Sequence, residues 1–98
     1  MSTLSFLEEL EGVIDKRLRE RGENSYTASL AARGMHRIAQ KVGEEGVEVA
    51  LAAAMEKDDL LLSECADLIF HVLVMLRVKG LSLADVADKL EQRHASAK

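Results

Sequence analysis

The sequence predicts an all-α domain, an antiparallel helical bundle built around a central helix hairpin and completed by dimerisation. Three observations lead there. Proline and tryptophan are absent and aromatics make up 3% of the chain, whereas strand-rich chains lean on β-branched and aromatic residues and on proline-punctuated turns. Apolar residues recur at three- and four-residue spacing over long stretches, the period of a helix face. Gly22, Gly34 and Gly80 stand where those stretches stop, as helix-ending glycines do. Ninety-eight residues, 48% hydrophobic and 31% charged, fit one globular domain over 1–98.

The first helix is expected from about Thr3 to Arg21, with Ser5 and Glu8 at capping-box spacing and Thr3 an equally good cap. Gly22-Glu23-Asn24-Ser25 reads as a loop. A short helix follows from about Tyr26 to Arg33, a third from about His36 to Met55, and a fourth from about Asp59 to Lys79. Ser82 and Asp85 repeat the capping-box spacing and open a fifth helix that fades near His94, leaving 95–98 expected to fray. In helix four, Leu61, Cys65, Leu68, Val72 and Met75 form one apolar stripe, and Leu62, Ala66, Ile69, Leu73 and Leu76 form its neighbour. A helix that apolar needs cover on most sides. A chain this short has little to supply it, which is the reason to expect a symmetric homodimer.

Charge and cysteine content narrow the function classes. The net charge is −4, whereas nucleic-acid-binding domains are usually basic. One cysteine cannot form an internal disulfide and points to a reducing compartment. The amino terminus lacks signal-peptide layout, and no apolar run reaches the ~18 residues of a membrane span. The expectation is a soluble cytoplasmic domain with neither a nucleic-acid nor a membrane partner.

The chemistry lies where carboxylates interrupt apolar seams. On helix three the seam Ile38, Val42, Glu45, Val49, Ala52 runs beside Lys41, Glu44, Glu48, Leu51, Met55. On helix four the third stripe is Leu60, Glu64, Asp67, His71, Val74, Val78. A short turn near Glu56-Lys57-Asp58 joins the two helices as an antiparallel hairpin. Folding back about residue 56 sets Glu45 opposite Asp67 and Glu48 opposite Glu64. Within each helix the i, i+3 spacing keeps both acids on one face. Two unit charges ~4 Å apart repel by about 4 kcal/mol at an effective dielectric of 20, while a whole domain is held by ~5–15 kcal/mol. Either the acids take up protons or a cation sits among them. An all-oxygen site suits Mg²⁺ or Mn²⁺, and Mg²⁺ commonly takes phosphate oxygens as further ligands. Isolated acids such as Glu8, Glu9 or Glu44 read alone as a solvated helix face.

Arg33, Arg37 and Lys41 follow at four-residue steps and lead into the acids. Such cations can hold phosphates beyond the metal's reach; ordinary ion pairs with Glu44 or Glu45 are the alternative. Gly43 and Gly46 inside helix three each cost roughly 1 kcal/mol against alanine, offset by close packing or by room for ligand. His71, one turn after Asp67, either orients a carboxylate, contacts substrate, or is a hydrogen-bonded core histidine. His36 and His94 read as surface residues, and Glu91 with His94 is an E-x-x-H at a helix end without a partner copy. Cys65 reads as core. No Ser/His/Asp or Cys/His arrangement suggests a covalent nucleophile.

Ser25-Tyr26-Thr27, Arg37-Ile38-Ala39-Gln40-Lys41-Val42-Gly43-Glu44-Glu45, Val47-Glu48-Val49, Glu64-Cys65-Ala66-Asp67-Leu68 and His71 together resemble the phosphoribosyl-ATP pyrophosphatases. These are enzymes of histidine biosynthesis within the wider all-α, MazG-like nucleotide pyrophosphatase group. The group's E-x-x-E and E-x-x-D pattern falls on Glu45, Glu48, Glu64 and Asp67, with Glu44 as the extra acid before the first. Gly46 stands where alanine is expected and Phe70 where tyrosine is common. The resemblance implies a small-molecule nucleotide substrate and Mg²⁺-dependent hydrolysis of phosphoribosyl-ATP to phosphoribosyl-AMP and pyrophosphate. In that scheme the four acids are metal ligands, Glu44 or a ligand acid takes the water's proton, and Lys41 stabilises phosphate charge. Arg33, Arg37, Lys41 and His71 are the candidate substrate-binding residues. A related enzyme acting on other nucleoside triphosphates, and a non-enzymatic metal-binding helical module, are the rival readings.

Overall fold

The computed structural model describes residues 3–20, 22 and 25–96. Among them are five α-helices and no strand: α1 (Phe6–Glu20), α2 (Tyr26–Ala32), α3 (Met35–Ala54), α4 (Asp58–Val78) and α5 (Leu83–Ser96). The all-α reading of the sequence stands. A 3₁₀ turn, Thr3–Ser5, precedes α1, so the α-helix opens three residues later than expected. The expected ends of helix one at Arg21, of the loop at Glu23 and Asn24, and of the frayed tail at 97–98 lie outside the described residues. α5 continues through Ser96 rather than fading at His94, since nothing between them breaks a helix.

Local chemistry explains most boundaries. Ser25 caps α2 by accepting a hydrogen bond from the Ala28 amide at 3.1 Å, leaving one fewer orphan donor at that end. Gly34, at φ +93°, makes the turn between α2 and α3 in the left-handed region that side chains avoid. The α4 stop is a Schellman arrangement around Gly80 at φ +76°: the Leu81 amide donates to the Leu76 carbonyl at 2.8 Å and the Gly80 amide to the Arg77 carbonyl at 3.1 Å. The capping box read at Ser82 and Asp85 is formed reciprocally. The Asp85 amide donates to Ser82 Oγ at 3.2 Å and the Ser82 amide to Asp85 Oδ2 at 2.9 Å. The α3–α4 turn is less comfortable, with Glu56 held at φ +56°.

The helices pack around Ile14, Leu30, Ile38, Leu73 and Val74, with Leu7, Leu18, Met35 and Phe70 against them. α3 and α4 share the most extensive contact, as the hairpin requires. The burial of α4 is uneven. His71, Leu73 and Val74 in its second half are buried, while Leu60, Leu62 and Ile69 are exposed. One chain therefore leaves part of the apolar surface of α4 uncovered. Phe6, Leu10, Leu62, Cys65 and Ile69 instead line an open apolar groove between α1 and α4. α5 is anchored only at its start: Leu83 packs on the core and its amide donates to Glu11 Oε2 at 2.8 Å, whereas residues 84–95 are exposed. No helix among the described residues is long and apolar enough to cross a membrane.

Arg77 and Asp15 join α4 to α1 through two parallel hydrogen bonds of 2.9 Å. Burial is partial on both sides, so the pair is worth less than a buried fork. Asp15→Asn is expected to cost about 1–2 kcal/mol, read in thermal denaturation as a fall of roughly 4–8 °C per kcal/mol.

Candidate metal centre

Glu45 and Glu48 sit one turn apart on α3, and Glu64 lies across from them on α4. One carboxylate oxygen from each comes within 4.8 Å of the others. Glu45 is 8% exposed, Glu64 is half-buried and Glu48 is exposed, so the cluster spans the boundary between core and solvent. Glu45 Oε2 and Glu64 Oε2, one from each helix, are buried and have no hydrogen-bond partner. An anionic oxygen shut away from water without a donor is costly. A hard cation among these atoms would satisfy both at once. A hydrogen bond with Glu48, burial, and the charges of Glu48, Asp67 and Glu45 push the Glu64 carboxyl up to about 7.

Asp67 is exposed and falls outside the three-residue group, although its charge acts on Glu64. Lys41 Nζ lies 3.3 Å from Glu45 Oε1 and 3.6 Å from Glu44 Oε1, and Arg37 Nη1 lies 3.8 Å from Glu44 Oε2. Lys41 thus takes the ion-pair role weighed for it. The bond to Glu45 and the surrounding negative charge raise its ammonium above the ordinary value against an opposing burial effect. Glu44 lies between the two cations and leaves the trio to Glu45, Glu48 and Glu64. Arg37 Nε is buried without a partner. Arg33 is exposed at the end of α2.

His71 is 6% exposed and bonded through both nitrogens. Nδ1 lies 2.7 Å from the Asp67 backbone oxygen and Nε2 lies 2.7 Å from the Tyr26 hydroxyl. The imidazole therefore meets the main chain of Asp67, not its carboxylate. Tyr26 was not among the residues singled out for function. Its signals in the sequence are its place in the Ser25-Tyr26-Thr27 stretch and its being a lone tyrosine directly after a helix cap. A cleft of about 740 Å³ lies elsewhere, between α1, α2 and the end of α4. Among the described residues Arg77 is the sole charged side chain lining it, and that guanidinium is engaged by Asp15.

Fold and site together define an all-helical domain with a carboxylate centre on a hairpin, a donor set suited to a hard divalent cation. Residues 7–94 match the family described as phosphoribosyl-ATP pyrophosphohydrolase, and the chain belongs to that family. It is 55% identical over 89 residues to the histidine biosynthesis bifunctional protein HisIE of Xylella fastidiosa, covering 91% of this chain and 43% of that protein. A second bifunctional HisIE, from Photobacterium profundum, is 57% identical over 91 residues, 93% of this chain and 44% of that protein. The phosphoribosyl-ATP pyrophosphatase of Metallosphaera sedula is 54% identical over 87 residues, 89% of this chain and 94% of that protein. The chain thus spans less than half of the bifunctional relatives and nearly all of the single-function one.

The Glu64 shift carries a stability consequence. Between the ordinary value of 4.5 and about 7, the folded protein holds a proton that the unfolded chain releases, so stability falls as pH rises through that window. Thermal denaturation in EDTA is expected to show the midpoint declining across it. Glu64→Gln, which removes the titrating group, is expected to flatten that slope.

Proposed function

We propose that the chain hydrolyses phosphoribosyl-ATP to phosphoribosyl-AMP and pyrophosphate, with Mg²⁺ or Mn²⁺ as the cofactor. The observation that carries the reading is the pair of partnerless buried oxygens of Glu45 and Glu64, set with Glu48 in one ligand-sized group. Glu45, Glu48 and Glu64 would hold the cation, with Asp67 at the rim. Bound there, a divalent cation supplies Lewis acidity to a phosphoryl oxygen and lowers the pKa of water. The family assignment and the Metallosphaera sedula relative support phosphoribosyl-ATP as the substrate.

The chain's own side chains supply the rest. Lys41 points its ammonium at the edge of the trio, where it neutralises charge building on the phosphates as the α–β bond breaks. Arg37, tethered loosely through Glu44, has further donors for the distal phosphates. Glu44, exposed and outside the trio, takes the proton of the attacking water, and its two cationic neighbours fix its direction.

We also propose that two copies associate. Val47 and Leu51 on α3, Met55 at its end, and Leu60, Leu62 and Ile69 on α4 leave large apolar surfaces in solvent, more than a soluble monomer commonly shows. The radius of gyration, 14.9 Å, exceeds the ~13 Å of a compact chain of this length. Light scattering at micromolar concentration is expected to give twice the chain mass; a stable monomer would refute the dimer.

A pyrophosphate-release assay on phosphoribosyl-ATP, with and without Mg²⁺, tests the activity. Turnover is expected only with the cation. Rapid cleavage of dUTP or dCTP with phosphoribosyl-ATP untouched would move the substrate to other nucleotides. Metal binding with no turnover on any nucleotide would remove the enzymatic reading. Glu48→Gln is expected to lower kcat by about 100-fold or more, as loss of a main electrostatic contributor does, with the helical circular dichroism unchanged.

A further inference from the structure

We propose that Tyr26 is the nucleoside-facing wall of this site and that His71 is the positioning residue that aims it. The assignment rests on the nucleotide reading above and adds a base-side contact to its phosphate-side residues. Tyr26 is 51% exposed, yet it is fastened on its inner side. Its hydroxyl meets His71 Nε2 at 2.7 Å. Its ring lies 6.3 Å from Phe70 at 32° and 5.7 Å from the His71 ring at 82°. Phe70 and His71 themselves cross edge-on at 5.3 Å. Three packed rings thus hold one aromatic surface out toward solvent.

The hydrogen-bond directions decide what Tyr26 can offer. The Asp67 carbonyl only accepts, so His71 Nδ1 carries a hydrogen toward it. In the neutral ring Nε2 is then an acceptor and takes the hydrogen of the Tyr26 hydroxyl. With that hydrogen engaged inward, the phenol presents only lone pairs outward and has nothing to donate to a phosphate. What remains for a ligand is the ring face. Its location suits a nucleoside. His71 hangs from the backbone of Asp67, whose carboxylate charge acts on Glu64, at the rim of the acid cluster. Phosphates held at the trio and Lys41 would leave the base on the Tyr26 side.

The chain has two other aromatics, both phenylalanines. Phe6 lines the α1–α4 groove and Phe70 stands behind Tyr26. A flat heterocycle at this end therefore meets Tyr26. A pre-fixed ring loses little conformational freedom on binding, and stacking on it is a recurrent way of holding a base.

With one tyrosine and no tryptophan in the sequence, intrinsic emission reports Tyr26 alone. Phosphoribosyl-AMP is expected to change that emission, and inorganic pyrophosphate with Mg²⁺ to leave it unchanged. Tyr26→Leu is expected to raise KM for phosphoribosyl-ATP by about tenfold, the scale of one base on one ring, with kcat far less affected. Tyr26→Phe recovers most of the lost affinity because the ring is kept. His71→Asn raises KM in the wild-type background and adds nothing in Tyr26→Leu, the pattern of a residue acting through Tyr26. Wild-type turnover with KM unmoved in Tyr26→Leu and emission blind to phosphoribosyl-AMP would overturn the Tyr26 assignment alone. Absence of pyrophosphate release by the wild-type protein would overturn both it and the proposed function.

Discussion

Mutual repulsion of carboxylates across the α3–α4 hairpin is the constraint on which the structure turns. Packing of α3 against α4 fixes the height of each residue and brings Glu45, Glu48 and Glu64 together. The structure relieves the conflict in three ways: Glu64 becomes hard to ionise, Lys41 leans on Glu45, and Glu48 reaches to solvent. None supplies a partner to the inner oxygens of Glu45 and Glu64. The apolar packing thus works against the charges and leaves those two inner oxygens without a partner.

That division runs along α4. Its second half, with Leu73 and Val74 fully buried, anchors the helix to α1, α2 and α3. Its first half carries Glu64 and is bordered by exposed Leu60 and Leu62. The buried half sets the angle of the helix, and the exposed half keeps the acid cluster at the edge of solvent. His71 lies at the junction. It ties the main chain beside Asp67 to the start of α2, so the acid cluster and Tyr26 share one support.

The hairpin was legible because helix periodicity and a short turn determine which residues face each other; Glu48 opposite Glu64 needs no more information than that. The Ser82–Asp85 cap was legible because both partners lie within one turn of chain. Asp67 marks the limit of such reasoning, since register gives the height of a residue but not the reach of its side chain. The stripes of α4 revealed apolar surface without revealing whether this chain covers it, and Leu62 and Ile69 remain uncovered. The contact between Tyr26 and His71 was out of reach for another reason. They are 45 residues apart, on helices whose crossing depends on the whole core, and no local pattern encodes that meeting.

Glu56, in the left-handed conformation at the hairpin tip, says something about how the register is kept. A residue with a side chain gives up about 1 kcal/mol there, and glycine would not. The tip is bent into shape by the two rods it connects and contributes little to aligning them. Alignment originates in the greasy ridges further down, so the connector can be strained without throwing the three acids out of step.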